Sequence, residues 1–358
     1  MKRVLVAMSG GVDSSVAAFL LKKEGYEVIG ATMRIWKRDE GTFHPDGCCG
    51  VAHVEDARRV AQQLEIPFYV LNLAEAFERE VVDYFCEEYG RGRTPNPCIL
   101  CNERVKFGSL LERAKTLGAD YLATGHYAQV VLDPSSKRFL LKRGVDRRKD
   151  QAYVLFSLSQ EQLRHSLFPL GTYRKQEIRA IAATLGLRVY DKPESQEICF
   201  IQERSYHSFL EGRRKVAIEP GPIVDKNGTV LGRHRGIAFY TIGQRRGLRL
   251  ARGVPLYVVA IDPRRNLVVV GEKPEVFRDT FVVDRVNWIA QEEVPPFCRA
   301  WVKIRYNHPG GEAMLFRQAD GTLKVQFEEP QKAITPGQAS VFYDGETVLG
   351  GGWIEEVL

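Results

Sequence analysis

Along the first 190 residues the apolar positions switch repeatedly between two periods. Residues 3–8 (RVLVAM) read as a buried strand, with a continuous apolar run from Val4 to Met8 of the kind covered on both faces of a sheet. Residues 14–24 space their apolar side chains as a helix does, with Val16, Phe19 and Leu20 on one face and Gly25 as the stop. The same reading predicts strands over 27–36, 67–73 and 121–124 and helices over 53–64, 75–89 and 174–186. A further helix begins after the Gly/Pro-broken loop RGRTPNP at 91–97 and runs to about Leu117. Strands alternating with helices predict an α/β fold with a doubly wound parallel sheet. Beyond about Arg204 the pattern changes to frequent turns, at Pro220-Gly221-Pro222, Lys226-Asn227-Gly228, Pro309-Gly310-Gly311 and Pro336-Gly337, between alternating segments such as Trp301 to Tyr306. The predicted organisation is a catalytic α/β domain over 1–204, a small β-rich linker domain over 205–273 and a C-terminal β-barrel over 274–358, with no internal repeat.

Composition narrows the class without changing this picture. A chain of 358 residues suits two or three domains, and 44% hydrophobic with 27% charged residues excludes collagen-like and wholly disordered chains. The longest apolar runs fall far short of the roughly 20 residues that cross a bilayer, and the N-terminus lacks a signal peptide's apolar core. A cytoplasmic protein without membrane association is therefore expected, with a monomer as the default.

The net charge of +6 says little, but its distribution says more. From Lys226 to Ile261 there is no Asp or Glu, while Arg233, Arg235, Arg245, Arg246, Arg249, Arg252 and His234 fall within the stretch. Such a face is suited to nucleic-acid phosphates. A second basic cluster comprises Lys142, Arg143, Arg147, Arg148 and Lys149.

Candidate chemistry begins at Ser9-Gly10-Gly11-Val12-Asp13-Ser14-Ser15, between the first strand and the first helix. Glycines let the backbone approach an anion, the serine hydroxyls and helix N-terminal N–H groups donate to phosphate oxygens, and Asp13 is placed to help hold Mg²⁺. The Gly-Lys-Ser/Thr ending of a Walker loop is missing, so γ-phosphate transfer is not indicated. The motif resembles the PP-loop ATP pyrophosphatases, which cleave ATP between its α- and β-phosphates and adenylate a carbonyl oxygen.

Seven cysteines, an odd number in a chain expected to be cytosolic, argue for reactive or metal-bound thiols over a disulfide framework. Cys98 and Cys101 form a C-x-x-C entering a helix, where the helix dipole favours the thiolate. Cys199, in Ser195-Gln196-Glu197-Ile198-Cys199-Phe200, supplies a distant third thiol. Cys86 and Cys298 read as core residues, and Cys48-Cys49 as structural.

Matching segments along the chain resemble the MnmA/TrmU family of tRNA-specific 2-thiouridylases: AMSGGVDSS at 7–15, TPNPCILCNERVKF at 94–107, ATGHYA at 123–128, KDQAYVL at 149–155, SQEICFI at 195–201, YTIGQRRGL at 240–248 and RY at 305–306. The resemblance implies ATP- and Mg²⁺-dependent sulfur transfer to C2 of the wobble uridine, position 34, in tRNAs for Lys, Glu and Gln. AMP and pyrophosphate would be released, and an upstream persulfide or sulfide donor protein would supply the sulfur. It assigns ATP to Ala7, Met8, Ser9, Gly10, Gly11, Val12, Asp13 and Ser14, with Met33 and Gly125. Catalysis falls to Cys101 as nucleophile and Cys199 as persulfide carrier. The anticodon stem-loop falls to Asn96, Pro97, His126, Lys149, Asp150, Gln151, Arg305, Tyr306 and Gln338. Some family members carry Asp at the position of Cys98. Three thiols here instead suggest a 4Fe-4S cluster on Cys98, Cys101 and Cys199, with the persulfide route as the other option. Other PP-loop ligases or amidotransferases leave the three cysteines unexplained, and a structural zinc in an RNA-binding protein normally takes four ligands.

Overall fold

The computed structural model describes residues 1–36, 51–192, 198–201, 206–213, 216, 218–250, 253–292 and 295–358. Cys48, Cys49, Ser195, Gln196, Glu197, Arg204 and Arg252 lie outside the described residues.

The N-terminal half alternates as the periodicity predicts: β1 (Arg3–Ala7), α1 (Val12–Lys23), β2 (Glu27–Arg34), α2 (Val51–Gln63), β3 (Phe68–Asn72), α3 (residues 74–90), α4 (residues 97–116) and β4 (Tyr121–Ala123). A hairpin of β5 (Ala128–Leu132) and β6 (Phe139–Arg143) follows, then α5 (Gln160–Arg164), β7 (Ser166–Leu167) and α6 (Lys175–Thr184). The first sheet has the order β3-β2-β1-β4-β7, and every pairing is parallel. Alternate residues of β1 face opposite layers. Val4 and Val6 pack with Val16, Val60 and Ile178 from α1, α2 and α6, while Leu5 packs with Phe77, Phe85 and Leu110 from α3 and α4. That division makes the sheet doubly wound and explains why β1 reads as an unbroken apolar run.

Two helices depart from α geometry. Glu78–Val82 within α3 and Cys101–Leu110 within α4 are π-helical. Such segments are rare and concentrate at functional sites.

A short helix α7 (Tyr206–Glu211) leads to a four-stranded sheet of β8 (Gly221–Val224), β9 (Val230–His234), β10 (Tyr257–Asp262) and β11 (Leu267–Gly271), in the order β10-β11-β8-β9. The C-terminal strands are β12 (Phe277–Trp288), β13 (Phe297–Lys303), β14 (Gly311–Arg317), β15 (Leu323–Lys332), β16 (Ala339–Asp344) and β17 (Thr347–Val357). They run β12-β15-β14-β13-β16-β17, and pairing of β12 with β17 closes them into an antiparallel barrel around Phe281, Val302, Leu315, Val325, Phe342 and Ile354. Closure removes the open strand edges a sheet otherwise exposes.

The β5–β6 hairpin, which the sequence pattern does not predict, belongs to this C-terminal sheet, because β6 pairs with β17 at Lys142 and Thr347. The chain after it docks on the barrel wall. Tyr153 donates its hydroxyl to the Ala339 carbonyl (2.8 Å), Asn287 Nδ2 donates to Phe156 O (2.7 Å), and the Phe156 ring meets Trp353 at 5.3 Å. Among the described residues no helix is long and apolar enough to cross a membrane.

Candidate active site

The C-terminal ends of β1 and β4 part where the strand order changes direction, the place where open α/β sheets bind ligands. The loop after β1 turns there through Gly10 at φ +72°, where an added Cβ would lie 2.2 Å from the His53 carbonyl oxygen. From the β4 side Gly125 presses against the start of α1, so that a Cβ would lie 2.8 Å from Ser14 N. Ser14 Oγ accepts from Ser9 N (3.1 Å), and Ser15 Oγ donates to Gly11 O (2.8 Å), which folds the loop over the helix start. Gly11 caps α1 without a side chain, so the first-turn N–H groups are available to an anion.

Of the predicted nucleotide residues, Ala7, Met8, Ser9, Asp13, Ser14, Met33 and Gly125 line one pocket. Gly10 and Gly11 form the loop behind them, and Val12 is buried in the layer of α1. Thr32, Lys106, Thr124, His126 and Gln151 complete the lining.

Asp13 differs from its expected role as a surface-loop residue placing Mg²⁺. It sits in the first turn of α1. Both its carboxylate oxygens lie 2.7 Å from Lys175 Nζ, and Tyr127 donates its hydroxyl to Oδ1 at 2.7 Å. As placed, its oxygens serve an ion pair with a lysine side chain that is only 9% exposed. Mg²⁺ therefore does not fit beside Asp13 without displacement of Lys175.

His126, expected to contact tRNA, is a residue of the pocket. It is buried in the pocket wall, with Nδ1 2.6 Å from Thr124 Oγ1 and its ring near Phe107 and Phe168. Burial, reinforced by the charge of Lys106, holds its imidazole well below the ordinary range and therefore neutral. Lys106 donates to Asn102 Oδ1 at 2.9 Å, and Asn102 Nδ2 donates to the Val154 carbonyl at 3.0 Å.

The cysteines start from the other end of α4. Asn96 is its N-cap, accepting from Cys98 N at 3.1 Å, and Pro97 occupies the first turn, as capping preferences dictate. Cys98 is exposed and Cys101, one turn on, half-buried. Cys199 lies on a turn closed by Ile201 N to Ile198 O, and neighbouring Phe200 is anchored among Phe77, Phe85 and Phe209. Cys101 and Cys199 both lie at the margin of the large buried cluster that runs from the first sheet through the middle domain to the barrel. Among the described residues, no three His, Cys, Asp or Glu side chains come close enough together to hold a metal ion. Cys98, Cys101 and Cys199 as placed therefore do not form the ligand set expected of a cluster. Cys86 is buried as expected, and Cys298 is half-buried, packed against the barrel core.

The predicted tRNA residues gather in two groups. Tyr306 donates its hydroxyl to the Asp150 carbonyl (3.1 Å), Gln151 Oε1 accepts from Tyr127 N (3.0 Å), and Lys149 immediately precedes them. Asp150 is turned inward, accepting from Gly144 N and Ala152 N at 3.1 Å each, and burial raises its carboxyl above the usual range. Arg305, close by in sequence, donates to Lys332 O (3.0 Å). In the second group Gln338 Nε2 donates to the Thr94 carbonyl (2.8 Å), tying the barrel to the loop that bears Asn96 and Pro97. Sequence reasoning missed Lys106, Lys175, Thr124 and Tyr127. Lys106 had a signal, a lone charge between the buried Val105 and Phe107. Lys175 had none, since 162 residues separate it from Asp13.

Family models match three successive stretches: a tRNA methyl transferase HUP domain over residues 2–203, a tRNA methyl transferase PRC-barrel domain over 207–272 and an aminomethyltransferase beta-barrel domain over 278–354. The chain is 54% identical over 356 residues to the tRNA-specific 2-thiouridylase MnmA of Moorella thermoacetica, covering 99% of both chains. The chain belongs to the MnmA family. Its Clostridioides difficile relative of the same name is 47% identical over 357 residues, covering 100% of this chain and 99% of that one. A solved 4-thiouridine synthetase–RNA complex with bound ATP aligns with a TM-score of 0.36 at 19% identity, over 56% of this chain and 45% of that one.

Proposed function

We propose that this MnmA family member is a tRNA 2-thiouridylase that consumes ATP to activate the wobble uridine of tRNAs for Lys, Glu and Gln. The observation that carries the reading is that α4 bears Cys101 and, five residues on, a lysine in the pocket of the Ser9–Ser15 loop. One helix thus joins a nucleotide-type pocket to a thiol.

The uridine C2 carbonyl is a poor electrophile because its oxygen is a bad leaving group. With ATP in the pocket, O2 attacks the α-phosphorus. The bond to the bridging oxygen breaks, pyrophosphate leaves with its electron pair, and the N3 proton is lost to solvent as C2–N3 gains double-bond character. A stacked anticodon base hides C2, so the base is splayed into the site. The terminal sulfur of a persulfide on Cys199, loaded by a persulfide donor protein, then attacks C2 and expels AMP. Cys101 thiolate attacks Cys199 Sγ, leaving 2-thiouridine and a Cys101–Cys199 disulfide that a cellular dithiol reduces.

The test is whether AMP and pyrophosphate form only when both ATP and tRNA are present. Cys199→Ser should retain tRNA-dependent pyrophosphate release while making no 2-thiouridine. Pyrophosphate release that ignores tRNA would refute the reading. Cys98 separates the two sulfur routes. Under anaerobic conditions Cys98→Ala should thiolate with a persulfide donor, whereas loss of both bound iron and activity would replace the persulfide with a cluster.

A further inference from the structure

We propose that Lys106 is the catalytic cation of the adenylation step and that Asn102 positions it. The inference rests on the adenylation reading above and adds to it a residue and a role.

Three ionisable side chains line the pocket among the described residues: Asp13, Lys106 and His126. Asp13 is anionic and committed to Lys175 and Tyr127. His126 is buried, bonded to Thr124, and held neutral. Lys106 is left as the positive charge of the lining. Attack of O2 on the α-phosphorus gathers negative charge on the non-bridging phosphate oxygens and on the departing bridge oxygen. Fixed charges aimed at such a centre stabilise it most when they need no reorganisation.

Lys106 is fixed in that sense. Asn102, only 1% exposed, commits its Nδ2 to the Val154 carbonyl, which leaves Oδ1 turned to the lysine ammonium at 2.9 Å. Val105 and Phe107 on either side are buried, so the backbone that carries Lys106 is anchored. The π-helical stretch Cys101–Leu110 adds the alignment. At 3.6 residues per turn, residues five apart diverge by about 140° around the axis. In a π-helix, bonded i to i+5, they lie nearly over one another. Cys101 and Lys106 are five apart, so the wider helix turns the thiol and the pocket cation toward one face of α4. The ammonium is not consumed. It neutralises charge in the adenylation step and keeps its proton.

The test is pyrophosphate release by the full-length enzyme with ATP and unmodified tRNA, alongside ATP affinity by calorimetry. Lys106→Met should slow pyrophosphate release by roughly 10²- to 10³-fold, the loss typical of one transition-state donor, with KM for ATP and for tRNA within about threefold of wild type. Lys106→Arg should recover most of the rate, which a packing role alone does not explain. Asn102→Ala should lower kcat less than Lys106→Met does and add little when combined with it. The proposal is overturned if Lys106→Met releases pyrophosphate at the wild-type rate, or if it raises KM while leaving kcat intact. Failure of the wild-type enzyme to release pyrophosphate with tRNA present refutes the adenylation reading itself, so the two failures are distinguishable.

Discussion

In the nucleotide pocket the charged side chains already answer to partners within the protein, Lys106 to Asn102 and Asp13 to Lys175 and Tyr127. The basic surface of β9 and the loops after it is arranged differently. Arg233, Arg235, Arg245, Arg246 and Arg249 are exposed, and none of them forms an ion pair among the described residues. His234, which sequence reasoning grouped with them, is instead buried beneath, 2.9 Å from the Asn266 carbonyl oxygen. The pocket holds a few charges in fixed places, as a reaction at one phosphorus atom requires, while the face offers several exposed charges, as a diffuse phosphate backbone requires. Loss of one group should therefore be severe in the pocket and graded on the face.

The strongest test of that contrast is Asp13→Ala. It should cost roughly 10³-fold in thiolation, the upper end for a group fixed at a reacting centre. It should also lower stability by about 3 kcal/mol, because Lys175 is left buried without its carboxylate. Thiolation assays and urea unfolding measure the two losses. Asp13→Asn, which keeps an acceptor, should recover more of the stability than of the activity. Equal recovery of both would make Asp13 purely architectural.

Gly125→Ala comes next. Its Cβ would meet backbone atoms of Asp13 and Ser14 at 2.9 and 2.8 Å, so the start of α1 must move away from β4. A shift of that size at a reacting centre costs roughly 10²-fold in rate, with about 1–3 kcal/mol of overpacking. Wild-type turnover in this variant would break the link between loop placement and chemistry.

Acid probes the pocket and the face together. His126 and His234 are both held below the ordinary imidazole range, burial being the first cause in each. Below the unfolded value of about 6.5 the unfolded chain binds protons that the folded chain refuses. Stability is therefore full above that pH and falls as pH drops, by at most about 1.4 kcal/mol per pH unit for each group. Denaturation midpoints at descending pH should show this slope, and His234→Gln should flatten it without touching the pocket.

The smallest effect is expected on the face. Replacing Arg245 and Arg246 with Ala should reduce the slope of log affinity for tRNA against log salt by roughly 0.7 to 0.9 for each phosphate the protein no longer neutralises, with kcat unchanged. An unaltered slope would make the arginines structural.

Four of the five strands of the first sheet were legible, because a strand in such a sheet leaves an apolar run such as Val4-Leu5-Val6; β7, only two residues long, was not. The Ser9–Ser15 loop and the C-x-x-C were legible because glycines, serines and thiols in those places have few other uses. Besides β7, three things were not. The β5–β6 hairpin finds its partner in Thr347, some 200 residues away, and nothing local to it announces that pairing. The basic cluster at 142–149 does not reveal in the sequence where its charges go. Arg143 instead stacks on the Tyr343 ring at 3.9 Å, and Arg147 pairs with Glu346. The π-helical turn of α4 depends on tertiary packing that periodicity does not report.

That hairpin has a consequence for how the chain comes to be folded. Lys142 leaves the ribosome long before Thr347 exists. At synthesis rates of roughly 5–20 residues per second the wait is on the order of 10–40 s. Throughout it the outer edge of β6, with Tyr153 and Phe156 behind it, lacks the wall it will finally cover. Nascent chains with an unpaired edge of this kind are prone to join one another. The N-terminal half of this protein therefore reaches its final form only when the last strands of the barrel arrive, and chaperone protection matters most during that interval.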